Sequence, residues 1–272
     1  MEKTDRYLFR FFIFWYICGV FLLSFDLVPP WLEWANVVFL ITAGFLAMLF
    51  FYRTYGKILG LVLIGGIFIL SMALESFGVA TGLFFGNYEY RTDFGPKMIG
   101  VPVTIGFAWV MVIATSHVLM KPVTNATGKF AIIVYPVLGA FTATAMDLII
   151  DPVAYDVKEY WVWLEGGFYY GIPFSNYAGW FILSFILHLI VFILTKRHKG
   201  WQTDSSEWSF RMAWLYGMMT AMFMAVAVVN GLFLAFFTTL AALIIVYTFY
   251  FTPRFLGTLK EGGRYSQQKT GI

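Results

Sequence analysis

Residues 210–251 read FRMAWLYGMMTAMFMAVAVVNGLFLAFFTTLAALIIVYTFYF, and Arg211 is the only charged residue in the run. As one straight helix the run would be about 63 Å long, twice the roughly 30 Å hydrocarbon core of a bilayer. Asn230-Gly231 is a turn pair, so the run divides into two spanning helices, 210–229 and 231–251. Working outward, six more apolar stretches qualify: 8–25, 32–52, 58–75, 102–120, 129–150 and 177–195. The expected fold is all-α: a polytopic membrane helix bundle of about eight transmembrane helices. Residues 1–252 are expected to form a single transmembrane domain, followed by a polar, unstructured tail at 253–272. The first stretch carries Arg10 and has no small-residue cleavage site before Asp26, so it reads as a retained helix rather than a cleaved signal peptide.

Composition points the same way. Of 272 residues, 60% are hydrophobic and 12% charged, and the mean hydropathy is +0.77. A soluble fold would lack polar surface, and a disordered chain would not be this apolar. The single cysteine, Cys18, excludes an internal disulfide and a cysteine-based metal centre. The net charge of +3 is too small to suggest a nucleic-acid partner. With the N-terminus inside, 15 of the 18 Lys and Arg residues fall on one side, and only Arg91, Lys97 and Lys158 on the other. The positive-inside rule then puts both termini in the cytoplasm of a multi-pass cell-membrane protein.

Two long connections remain, 76–101 and 151–176, both on the outer side. They hold Tyr88 and Tyr90 in the first, and Tyr160, Trp161, Trp163 and Tyr169 in the second. Loops so aromatic are expected to fold back onto the helices or the headgroup layer. The connections also repeat. Gly100-Val101-Pro102, Trp109 and His117 recur as Gly171-Ile172-Pro173, Trp180 and His188, each 71 residues on. Such a parallel repeat would bring two acidic helix ends together beneath two aromatic flaps.

Those acids are Glu75, Asp147 and Asp151, at the outer ends of the third and fifth stretches. Ionisable side chains inside spans are functional candidates by default. Asp147 and Asp151 are four apart, on one helix face, and Pro152 is expected to end the helix there. A neutral acid beside an ionised one is what acid–base chemistry on an apolar substrate requires. The blander reading has Asp151 capping the loop and Glu75 pairing with Arg91 or Lys97. Asp26 and Glu33 flank a short turn and read as solvated. His117 and His188 lie about 22 Å below the outer prolines and read as packing or hydrogen-bonding residues. Three histidines cannot build a His-rich iron site, so no metal is expected. No strand or nucleotide-binding loop is evident.

These same residues carry a family resemblance. Glu75-Ser-Phe-Gly78, Thr81-Gly82, Phe85-Gly86-Asn-Tyr88-Glu-Tyr90, Gly95-Pro96 and Gly100-Val-Pro102 resemble the integral-membrane carotenoid hydratases. These are the bisanhydrobacterioruberin and gamma-carotene 1'-hydratase group. So do Ala143-Thr-Ala-Met-Asp147, Asp151-Pro152, Trp161-Val-Trp163, Tyr169-Tyr-Gly171-Ile-Pro173, Asn176 and Gly179-Trp180. The resemblance covers roughly 70–182, which is the motif-bearing core. Phe84 and Tyr177 depart from the pattern, in place of proline and phenylalanine. The resemblance implies hydration of the terminal 1,2 double bond of a lipid-soluble acyclic carotenoid, with no cofactor. It makes Glu75, Asp147 and Asp151 the acid and base, without saying which is which. Trp161, Trp163, Tyr169 or Trp180 would supply aromatic faces for a cation, Tyr88 and Tyr90 would bind the substrate beside them, and Asn176 would orient water. The alternatives are a lycopene cyclase-like enzyme, a prenyltransferase using Asp147 and Asp151, or a proton-coupled transporter.

Overall fold

The computed structural model describes residues 2–91, 94–202 and 206–269, with side chains to residue 252 except at 206. Helix α1 (Lys3–Ser24) leads through a turn at Asp26 and a 3-10 turn at Pro30–Leu32 into α2 (Trp34–Thr81). Within α2, Gly56 has φ 76° and ψ 175°, a conformation that needs glycine. The chain doubles back there: a Cβ on Gly60 would lie 2.8 Å from the Phe51 carbonyl oxygen. In a straight helix those residues would be about 13 Å apart. Short strands β1 (Tyr88–Tyr90), β2 (Lys97–Met98) and β3 (Val101–Pro102) follow, then α3 (Val103–Met120). A connector holding the one-turn α4 (Thr124–Thr127) reverses the chain into α5 (Ala131–Pro152). His117 reaches Tyr135 at 2.6 Å across this reversal. Next come a π-helical turn at Val153–Val157, β4 (Trp161–Trp163), α6 (Phe174–Thr195), α7 (Lys199–Gln202), α8 (Ser206–Val229) and α9 (Phe233–Lys269).

The architecture is an all-α polytopic bundle. Six helical stretches of the described residues are long and apolar enough to cross a membrane. Two of them, Pro30–Thr81 and Val103–Val157, hold 52 and 55 residues, about 80 Å of rise each. These are the stretches folded in two at Gly56 and at 121–130.

Three expectations need correction. The two long connections contain strands. β1 pairs antiparallel with β4, Glu89 opposite Val162, and β2 pairs with β3. Backbone pressed onto a membrane bundle must satisfy its own polar groups, and these ladders do so. Pro152 is the last residue of α5, but the chain does not leave helical geometry there and runs on as the π-helical turn. Proline leaves the Leu148 carbonyl without its helical donor, and Tyr169 Oη donates to that oxygen at 3.0 Å. Finally, the backbone of α9 stays helical to Lys269 through the polar segment expected to be unstructured. The side chains of that segment, 253–272, lie outside the described residues.

The bundle has two distinct ends. At one, Arg53 bridges Glu2 and Asp5, and Lys121 Nζ donates to Gly200 O. At the other, Lys158 Nζ lies 2.8 Å from Asp26 Oδ1, and Arg91 lies 3.9 Å from Glu159. The Lys158 hydrogen bond holds the Asp26 carboxyl below its ordinary range.

The 71-residue offset appears in the turns. Met98 bridges Val101 across Ile99 and Gly100, whose φ values are 50° and 81°. Tyr169 bridges Ile172 across Tyr170 and Gly171, at 50° and 74°. Both are two-residue turns with two left-handed positions, the type I′ form that closes hairpins. Trp109 and Trp180 meet face to face, 4.4 Å between ring centroids.

Candidate functional site

Glu75 sits in the last turns of α2, which Gly82 ends in a left-handed cap. The chain then folds back so that Phe85 lies between two helices. Cβ atoms on Gly78 of α2 and Gly179 of α6 would fall 2.9 and 2.8 Å from its ring. Only glycine leaves room for this plug, and the plug brings β1 over the end of α2. Tyr88 Oη then donates to Glu75 Oε2 at 2.5 Å, and Trp109 Nε1 donates to Oε1 at 2.9 Å. Neither Arg91 nor Lys97 pairs with Glu75, so the carboxyl rests on neutral donors.

Asp147 and Asp151 share one face of α5, and one amide serves both. Asn176 Nδ2 donates to Asp147 Oδ2 at 2.9 Å and also to Asp151 Oδ2. Asn176 is placed by the first turn of α6, directly after the Gly171-Ile172-Pro173 turn. All three acids and Asn176 are buried. Asp147 Oδ1 is buried with no hydrogen-bond partner, and so are Tyr177 Oη and Thr144 Oγ1.

One pocket of about 1150 Å³, open mouth included, joins these groups. Its wall includes Glu75, Asp151, Asn176, Tyr88, Tyr90, Trp161, Trp163 and Trp180. Asp147 and Tyr169 are not lining residues. Asp147 stands behind Asp151 on α5, and Tyr169 is engaged with the Leu148 carbonyl. Tyr88 and Trp163 pack at 4.9 Å between centroids, directly opposite each other in the β1–β4 ladder. The rest of the wall is mostly apolar, with Phe39, Ile105, Met111, Met219, Met222 and Phe223, and Asn36, Lys158 and Tyr160 add polar groups. Burial pushes the Tyr160 phenol at the pocket rim above its ordinary value. Among the described residues no three His, Cys, Asp or Glu side chains are grouped to hold a metal ion.

The sequence reading did not assign Trp109 to the site, although its place in the repeat with Trp180 pointed to it. It also missed the α8 methionines, whose motif-free helix carries no signal beyond hydropathy. His117 and His188 lie away from the acids and are fully hydrogen-bonded. His117 lies between Tyr55 and Tyr135, and His188 between Ser116 and the Ser184 carbonyl.

A bisanhydrobacterioruberin hydratase from Haloarcula japonica is 28% identical to this chain over 124 residues. The match covers 45% of this chain and 41% of that protein, so it spans less than half of the relative. No solved structure matches the chain. The carotenoid biosynthesis protein family matches residues 35–247. That range holds every pocket-lining residue except Leu23. The fold, the pocket and the match thus coincide, and the chain belongs to the carotenoid biosynthesis protein family.

Proposed function

We propose that this protein hydrates the terminal 1,2 double bond of an acyclic carotenoid end group. The observation that carries the reading is that Glu75, Asp151 and Asn176 line one largely apolar, aromatic-walled pocket. The family and the name of the Haloarcula relative favour the same chemistry. Asp151, on the pocket wall, gives its proton to C2, and the alkene electron pair forms the new C–H bond. Positive charge then develops on C1, which is tertiary. The faces of Trp161, Trp163 and Trp180 and the Tyr88 and Tyr90 rings flank that charge. Water attacks C1 and loses a proton to Glu75, whose two oxygens already accept from Tyr88 and Trp109. Asn176 holds Asp151 in register with Asp147 behind it, and return of the proton from Glu75 to Asp151 through water in the pocket resets the pair. No electrons leave the substrate, so the reaction requires no redox cofactor.

In this reading the bundle crosses the membrane eight times. The basic end, with both termini, faces the cytoplasm, and the pocket lies in the outer half of the cell membrane. Expression in a lycopene-producing bacterium tests the function. The pigment is expected to gain the mass of one water, with ¹⁸O incorporated from labelled water. A ring formed at unchanged mass would point instead to cyclisation, and oxygen drawn from O₂ would end the hydration reading.

A further inference from the structure

Hydration involves only the last carbons of a carotenoid, and the rest of the molecule must lie somewhere. A conjugated chain is stiff and apolar, so it needs a straight, apolar path out of the pocket. A second, largely apolar cavity adjoins the pocket. It lies between α1 and the start of α2, and it shares Leu23, Asn36, Phe39 and Met222 with the main pocket. From Leu23 it runs along α1 past Cys18 to Phe14, about 13 Å of helix. Gly19 lies on its wall, and a Cβ there would meet nothing within 4 Å. This glycine is required neither by a close approach nor by a left-handed backbone. Its effect is to leave the groove wide. Trp15 Nε1 donates to the Ala35 carbonyl at 3.1 Å, fastening α1 to α2 beside the groove. Helix α1 is a peripheral helix with exposed apolar side chains, among them Ile17, Phe21 and, at the end of the groove, Phe14, so the groove lies against the lipid.

We propose that this groove binds the polyene chain of the substrate, making α1 the element that selects substrate length. The identity of the end group rests on the hydration reading, whereas the binding of a long isoprenoid chain here does not. Cys18 is the chain's single cysteine and lines the groove, so the native protein carries its own reporter. In detergent micelles, lycopene is expected to slow alkylation of Cys18 by N-ethylmaleimide severalfold. In Gly19→Trp the ratio of turnover on lycopene to turnover on a short acyclic terpene with the same end group should fall by about tenfold or more. Gly65→Trp, whose Cβ also meets open space but away from both cavities, should keep the wild-type ratio. Protection of Cys18 by lycopene without hydration would keep the groove and remove the reaction. Hydration without protection, or with a wild-type ratio in Gly19→Trp, would overturn the groove. Neither protection nor hydration would end both.

Discussion

Asp151 and Asp147 are four residues apart on one helix, yet the fold gives them different positions. Asp151 reaches the pocket, whereas Asp147 meets it only through Asn176. Asp151→Asn keeps size and hydrogen bonding but removes the transferable proton. Hydration is expected to fall by roughly 10²–10⁴-fold, the usual contribution of a general acid, with the protein still folded. Glu75→Gln should fall comparably, because an amide cannot accept the water proton. Asp147→Asn should lose less and shift the pH profile more than the substrate KM. Kinetics of purified variants check this, and equal losses in all three would contradict the division of roles. Trp161→Phe keeps an aromatic face and should cost little beside these. Gly179→Ala tests the Phe85 plug. Its Cβ would sit 2.6 Å from the Phe84 carbonyl oxygen and 2.8 Å from the Phe85 ring. Overpacking of this kind costs about 1–3 kcal/mol, seen as a lower unfolding temperature in micelles.

At the level of elements, the junction after α5 shows how a rule of local sequence is outvoted. Proline disfavours helix at the preceding residue and removes a donor, but here the phenol of Tyr169 replaces that donor. Removing the phenol should leave the Leu148 oxygen without a partner, at a cost of about 1–3 kcal/mol. Pro152→Ala restores the backbone N–H, so Tyr169→Phe should cost much less in that background. A double-mutant cycle on thermal unfolding measures the coupling, and additive effects would refute the exchange of donors. The repeated turns make a similar point. Ile99 and Tyr170 both adopt φ 50°, unusual for side chains of this kind and most costly for the β-branched one. Ile99→Gly should therefore stabilise the first hairpin. An unchanged or lower unfolding temperature would mean that the left-handed position carries no strain.

On the scale of the whole molecule, sidedness is the quantity to measure. A reporter fused at exposed Gly166 is expected to read as external, and one at Gly128 as cytoplasmic. The reverse result would place the pocket in the inner leaflet. Hydropathy alone was enough to read a membrane bundle from the sequence, because apolar runs of this length have no other stable home. Spacing placed Asp147 and Asp151 on one face, since helix geometry is local. The 71-residue echo marked the two turns that the structure later showed to be alike. Other features depend on contacts between residues far apart in the chain, which no local pattern encodes. They include the antiparallel pairing of β1 with β4, the Tyr88 and Trp109 bonds to Glu75, and the Phe85 plug. The folding of two long apolar stretches at Gly56 and 121–130 was legible as breaks, but their packing was not. The sequence by itself determined the membrane bundle and singled out Glu75, Asp147 and Asp151. Only the tertiary structure decided that Glu75 and Asp151 face one cavity while Asp147 stands behind it. That choice is made by which buried partner each carboxyl meets across the bundle.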